Sequence, residues 1–219
     1  MRRPYLEQLR EVLEVRACLV DGEWIRNHLD VDFTNGAHHY SRPYIPSLEV
    51  WIDREAPGSN ELEYLIEHQL HERELMERGV HYLRALRMAN HRERQQRRSV
   101  LDPRLVSAAA AEQRGYVFRR ELGEVDGDRL ILVNGRAVRD LFDLNFTQGG
   151  HHARYRFIPS RQIWIDDAVV DSEREYVIAH EVHELHLMRQ GMKYYPAHDH
   201  ALELERKLRR RETRARRRA

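Results

Sequence analysis

Within Tyr176-Val-Ile-Ala-His-Glu-Val-His-Glu-Leu-His-Leu-Met188, one imidazole and two carboxylates share the face taken by the apolar residues. Stepping about 100° per residue along a helix, Tyr176, Val177, His180, Glu184, Leu187 and Met188 fall on one arc, which Ile178, Glu181, Val182 and Leu185 extend. Glu175, Ala179, His183, His186 and Gln190 take the opposite, polar arc. A carboxylate turned into a core stays ionised only with a compensating partner. His180, Glu181 and Glu184 therefore ask for a cation, and a divalent metal ion is the simplest. The alternative is that His180 and Glu184 only hydrogen-bond each other in the core.

Catalytic zinc usually takes three protein ligands and keeps one position open. The first choice for the third is His198, just inside a second predicted helix that starts near Pro196 and returns past the first. Ala201 and Glu205 lie three and seven residues further on the same face. A small residue at 201 lets the helices approach closely. Glu205 either joins His180, Glu184 and His198 as a ligand or orients one of them from behind. Asp199 and His200 point elsewhere, and a phosphohydrolase reading of His198-Asp199-His200 lacks the matching His/Asp pairs on facing helices.

The pattern His180-Glu181-x-x-Glu184 resembles the His-Glu-x-x-His helix of zincin metallopeptidases, with a carboxylate in place of the second imidazole. The resemblance implies His180 as a ligand of Zn2+ or another divalent metal, Glu181 as the general base, and Glu184 as the second ligand. It implies a metal-dependent, metallopeptidase-like hydrolase acting on a peptide or protein. A longer pattern, His-Glu-x-x-Glu-x-x-Leu-Met-x-x-Gly-x-x-Tyr-x-x-Ala-His, is similar to bacterial and phage proteins that lend no activity.

These residues sit in a chain written twice. Asp32-Phe-Thr-Asn-Gly-Ala-His-His39 recurs as Asn145-Phe-Thr-Gln-Gly-Gly-His-His152, and Val50-Trp-Ile-Asp53 as Ile163-Trp-Ile-Asp166. After a one-residue gap, His68, Glu72, Met76, Gly79 and Tyr82 match His180, Glu184, Met188, Gly191 and Tyr194. The spacing predicts an α+β fold of two tandem repeats, each a small β-hairpin and strand layer packed by an antiparallel helix hairpin. The expected bounds are a leading helix over 1–14, a first repeat over 15–98, a linker over 99–114 and a second repeat over 115–219, with an Arg-rich terminal helix. The two repeats are expected to pair within the chain as a pseudo-dimer.

In each repeat, Asp21-Gly22 and Asn134-Gly135 predict tight hairpin turns. The Gly-His-His segments predict loops, and the Trp-Ile-Asp segments short buried strands. Ser172 with Glu175, and Asn60 with Glu63, predict helix caps, while Gly191 and Gly79 suit the helix C-termini.

The first repeat is an internal control. Glu181 corresponds to Gln69 and His198 to Leu86, whereas Glu184 and Glu205 are kept as Glu72 and Glu93. Base and third ligand are thus lost together, as in a degenerate site beside a working one. His38-His39 and His151-His152 survive in both. A structural task is favoured for them, such as pairing with Glu72 and Glu184, with metal or substrate contact as the alternative. Trp51, Trp164, Tyr155 and Phe157 read as strand core.

Composition narrows the classes. Lys and Arg number 37 against 36 Asp and Glu, so net charge points to no partner. One cysteine, Cys18, excludes a disulfide framework and a cysteine-rich zinc site. No run is long enough to span a bilayer, and a cytoplasmic location is expected. Nine basic residues over 206–219 face one Glu212. They read as a solvated helix end or as the contact of a non-enzymatic, duplicated structural or binding module with nucleic acid or a protein partner.

Overall fold

The computed structural model describes residues 4–55 and 61–216. The chain forms two compact units, Met1–Ile25 with Phe33–Ala108, and Arg26–Asp32 with Ala109–Ala219. Each is an α+β unit with a four-stranded sheet packed by helices, as the repeat predicts.

The first unit runs β1 (Tyr5–Val12), β2 (Val15–Val20), the start of α1 (Gly22–His28, which from Arg26 belongs to the second unit), β3 (Gly36–His38), β4 (Glu49–Asp53), α2 (Leu62–Glu77), α3 (Tyr82–Val100) and α4 (Pro103–Ser107). Its sheet has the order β1-β2-β4-β3, with β2 and β4 parallel and the outer pairs antiparallel. Alternate residues of the central strands face opposite ways. Val15, Ala17, Val50 and Ile52 meet Leu65 and Ile66 of α2, while Cys18, Val20 and Trp51 pack with Ile25, Phe33 and Ile45.

The second unit runs α5 (Ala110–Val117), β5 (Phe118–Val125), β6 (Asp128–Val133), α6 (Gly135–Leu141), β7 (Gly149–His151), β8 (Gln162–Asp166), α7 (Asp171–Arg189) and α8 (Tyr194–Arg216). Its sheet repeats the order as β5-β6-β8-β7, with β6 parallel to β8. One face packs Leu130, Leu132, Ile163 and Ile165 on Val177 and Leu185 of α7. The other holds Ile131, Val133, Phe146, Tyr155 and Trp164. Trp51, Trp164 and Tyr155 are core residues, as read from the sequence, with half-buried Phe157 packed against the last two.

Several expectations are corrected. The segment 1–14 holds no leading helix but strand β1, which pairs with β2. It is an edge strand with mostly half-buried and exposed residues, so it lacks the alternation that marks a half-buried strand. Asp21-Gly22 and Asn134-Gly135 are not hairpin turns but the starts of α1 and α6. The Asn134 side chain accepts from the Ala137 amide as an N-cap. Glycine follows because a Cβ at 135 would stand 1.9 Å from Asp166 Oδ2, and at 22 2.0 Å from Asp53 Oδ2. The true hairpin turns are Leu13-Glu14 and Asp126-Gly127, both residues of each with positive φ.

The Gly-His-His segments are not loops. Gly36–His38 and Gly149–His151 are short strands closing each sheet on β4 and β8. Helix α7 begins at Asp171, ahead of the expected Ser172 cap, with Asp171 and Glu173 in its positive first turn. Asn60 lies outside the described residues. Gly79 and Gly191 do close α2 and α7, at φ +84° and +94°. The expected linker 99–114 contains α4 and the start of α5, and the first unit ends within it at Ala108.

Candidate metal centre

Helix α7 presents its polar residues inward, as the 100° stepping predicts. His180, Glu181 and Glu184 are buried, while His186 is exposed and His183 half-buried. Glycine at 191 ends α7, and α8 returns alongside it. Ala197 and Ala201 are fully buried, so the helices approach closely enough for His198 and Glu205 to reach α7. Strand β7 delivers His151 from the sheet.

The three side chains read as ligands converge. His180 Nε2 lies 3.1 Å from His198 Nδ1, and Glu184 Oε2 lies 2.9 Å from His198 Nδ1 and 3.7 Å from His180 Nε2. Tetrahedral ligands on bonds of about 2.1 Å stand about 3.4 Å apart, and these three distances bracket that value. The group could hold a metal ion.

The outer nitrogens support the same reading. His180 Nδ1 faces Glu205 Oε2 at 3.1 Å, and His198 Nε2 faces Asp32 Oδ1 at 3.5 Å. A proton on each outer nitrogen leaves both inner lone pairs aimed at one point, the carboxylate–histidine arrangement of metal sites. Of the two roles expected of Glu205, ligand or orienting partner, this contact fits the second. Glu205 lies on the far side of the His180 ring and belongs to neither converging group. Its other oxygen accepts from Arg209 Nε and Nη2 at 2.9 and 2.8 Å, and Arg209 also binds buried Glu173 at 2.7 Å.

Charges follow this geometry. Burial pulls His180 down, but the Glu184 and Glu205 carboxylates outweigh it and push it up to about 10. Burial likewise opposes ionisation of His198, which Asp32 and Glu184 raise to about 9. The two facing nitrogens leave room for one proton between them, so a proton and a metal ion compete for this space. Glu184 is held well below the usual carboxylate range: burial opposes this, and His151, His180 and His198 override it.

A second group, His151, Glu181 and Glu184, also converges within 4.8 Å. Here the hydrogen bonds assign His151 differently. The Arg154 amide donates to its Nδ1 at 3.3 Å, so Nε2 carries the proton and donates to Glu184 Oε1 at 2.9 Å. His151 positions Glu184, the structural task expected of the His-His pair, and its sequence counterpart His38 does the same to Glu72 at 3.0 Å. Glu181 receives no hydrogen bond from any described residue, and burial raises its pKa. A buried, uncommitted carboxylate with a raised pKa beside three converging donors has the properties of a proton acceptor.

The first unit keeps the scaffold without the site. His68 Nδ1 meets Glu93 Oε2 at 2.7 Å, His68 Nε2 lies 3.4 Å from Glu72 Oε2, and Arg97 closes on Glu93 and Glu61 at 2.8 Å. Gln69 and Leu86 stand where Glu181 and His198 would be. Among the described residues, groups able to hold a metal ion occur in the second unit alone.

Sequence reasoning missed Tyr194 and Arg154. The Tyr194 ring stacks on His198, with centroids 5.5 Å apart at 25°, and the Arg154 guanidinium lies over Tyr194 at 4.2 Å. The signal for Arg154 was present: the first repeat has Ser41 at that position. No helix among the described residues is long and apolar enough to cross a membrane. Comparison with family models, with curated proteins and with solved structures gave no match to this chain.

Proposed function

We propose that the second unit is a metal-dependent hydrolase, metallopeptidase-like, with Zn2+ held by His180 Nε2, Glu184 Oε2 and His198 Nδ1. The observation that carries this is the coincidence of two features: three donors spaced for tetrahedral binding, and the uncommitted carboxylate of Glu181 one helical position from a ligand. An N2O donor set suits zinc. The ion supplies Lewis acidity, polarising a carbonyl and lowering the pKa of a water molecule towards neutrality.

The chain's own residues do the rest. Glu181 accepts a proton at its carboxylate and returns it to the leaving amine. Its burial keeps its pKa raised, so the proton is held until it is transferred. Glu205 and Asp32 hold the ligand imidazoles in the tautomer that leaves the inner nitrogens free. His151 occupies Glu184 Oε1, leaving Oε2 for the ion. Strand β7 is the edge of its sheet, next to the centre, and an extended peptide would lie along that edge.

The test begins with metal analysis of the purified protein. One equivalent of zinc is expected, lost in His180→Ala and His198→Leu. Glu181→Gln is expected to keep zinc while losing cleavage of an unstructured protein such as casein. Protein purified without metal that also fails to take up added zinc would overturn the metal reading. Zinc-loaded wild type that cleaves nothing would overturn the hydrolase.

A second reading, a non-enzymatic module that binds nucleic acid, is favoured by the end of α8. Arg206, Arg210, Arg211 and Arg214 are exposed there. Arg209 is not part of that surface, since Glu173 and Glu205 bury it. Binding of duplex DNA that falls steeply with salt, and is lost when Arg210, Arg211 and Arg214 are changed to Gln, would support it.

A further inference from the structure

We propose that Arg154 forms a subsite for an oxyanion of the substrate, which on the peptidase reading above is a peptide carboxylate. Among the positions near the centre that differ in chemistry between the two repeats are Glu181 for Gln69, His198 for Leu86, and Arg154 for Ser41. The first two supply a base and a ligand. The third supplies a cation.

That cation has no carboxylate partner. Arg154 is exposed and forms no ion pair among the described residues, its side chain hydrogen-bonding Tyr194. Unpaired surface arginines are common, but their guanidinium groups are seldom fixed. This one lies 4.2 Å from the Tyr194 ring and 4.9 Å from the Tyr155 ring. Tyr194 in turn stacks on His198, so a single aromatic ring separates the guanidinium from a ligand imidazole. At its other end, the Arg154 amide is bonded to His151, which positions Glu184. The residue is therefore tied to the centre through both backbone and side chain. One hydrogen bond to Tyr194 leaves most of the five guanidinium N–H donors for a carboxylate or phosphate at the exposed edge.

The subsite gives the centre a register. A chain whose oxyanion is clamped at Arg154 has its neighbouring bond delivered towards His198. A terminal carboxylate of a peptide and a phosphate group share this chemistry, and the experiment separates them.

Binding is measured with zinc-loaded Glu181→Gln protein, so that ligands are not turned over. The probes are a short peptide with a free C-terminal carboxylate, the same peptide C-terminally amidated, and inorganic phosphate. The expected result is that the amide binds roughly ten- to a hundred-fold more weakly than the carboxylate, the range of a charge-assisted pair. In Arg154→Ser/Glu181→Gln this difference disappears while zinc content is unchanged. Serine is the first unit's residue at this position, where its hydroxyl satisfies the His38 amide and carbonyl, so the loop keeps its turn.

Phosphate binding that is lost with Arg154, without a carboxylate preference, would support the oxyanion subsite and make phosphate its source. A carboxylate preference that survives Arg154→Ser, or zinc-loaded protein that binds none of the three probes, would overturn the subsite. Absence of zinc from the wild-type protein would overturn the metal reading itself, a separate result.

Discussion

His180 and Glu205 are joined at 3.1 Å through the imidazole nitrogen that faces away from Glu184 and His198, Nδ1 to Oε2. This contact, repeated as His68 with Glu93 at 2.7 Å, orients the ring whether or not an ion is bound. In the second unit it has a further consequence for affinity. Glu205→Gln keeps the shape but weakens the proton acceptor behind His180. Zinc affinity, read by competition with a chromophoric chelator, is expected to fall ten- to a hundred-fold, whereas His180→Ala abolishes binding. Equal affinity in Glu205→Gln and wild type would show that the carboxylate has no orienting role.

How much of this was legible beforehand depended on what kind of signal each residue gave. The inward turn of His180, Glu181 and Glu184 follows from helical period alone, and His198 follows from a return helix spaced by Ala201. The repeat located the sheets, because a duplicated pattern marks element order without any propensity. The edge strands β1 and β7 were misread because exposure and glycine erase the alternation. Gly22 and Gly135 were misread because the same dipeptide serves a turn and a close approach to a buried aspartate. Only the fold separates them. For Glu205 the sequence left ligand and orienting partner both open: shared face on a helix does not say which side of an imidazole a carboxylate meets.

Gly135 gives a prediction about stability. An added Cβ would stand 1.9 Å from Asp166 Oδ2, and Asp166 cannot retreat freely because Arg139 binds it at 2.6 Å in a buried pair. Gly135→Ala is expected to cost about 3 kcal/mol or more, through a displaced buried charge. Chemical denaturation would show this as a lower midpoint. A cost within about 0.5 kcal/mol, the range of an ordinary surface change, would mean that the strand and helix separate easily.

In the first unit the buried network predicts a pH profile. Burial opposes protonation of His68, but Glu72 and Glu93 raise it from 6.5 to about 9. A raised folded-state pKa gives stability that is complete below 6.5 and is lost as pH rises through about 9. Glu72 runs the other way. Despite burial, His38 and His68 lower it from 4.5 to about 2, so its contribution is complete above 4.5 and is lost as pH falls through about 2. Both contributions are therefore complete between 4.5 and 6.5. Thermal melts from pH 6.5 to 9 should show a decline of a few degrees that is smaller in His68→Gln, where His180 and His198, also raised, keep their share. An unchanged decline in that variant would assign it to other groups.

The two units together allow a site to be built as well as removed. The first already places His68 Nε2 3.4 Å from Glu72 Oε2, with Glu93 behind the ring and His38 on Glu72 Oε1. It lacks the groups that Gln69 and Leu86 replace. Ala85 and Ala89 are as fully buried in α3 as Ala197 and Ala201 are in α8, so a histidine at 86 has the same close helix pair to cross. Leu86→His should add a weak second zinc site. Gln69→Glu in the same protein should then place an uncommitted carboxylate beside it. The expected stoichiometry rises from one zinc to two, and chelator titration should resolve two affinities. If His198→Leu removes all zinc from wild type yet Leu86→His adds none, three converging donors are insufficient. The centre would then also depend on Arg154, where the first unit has Ser41.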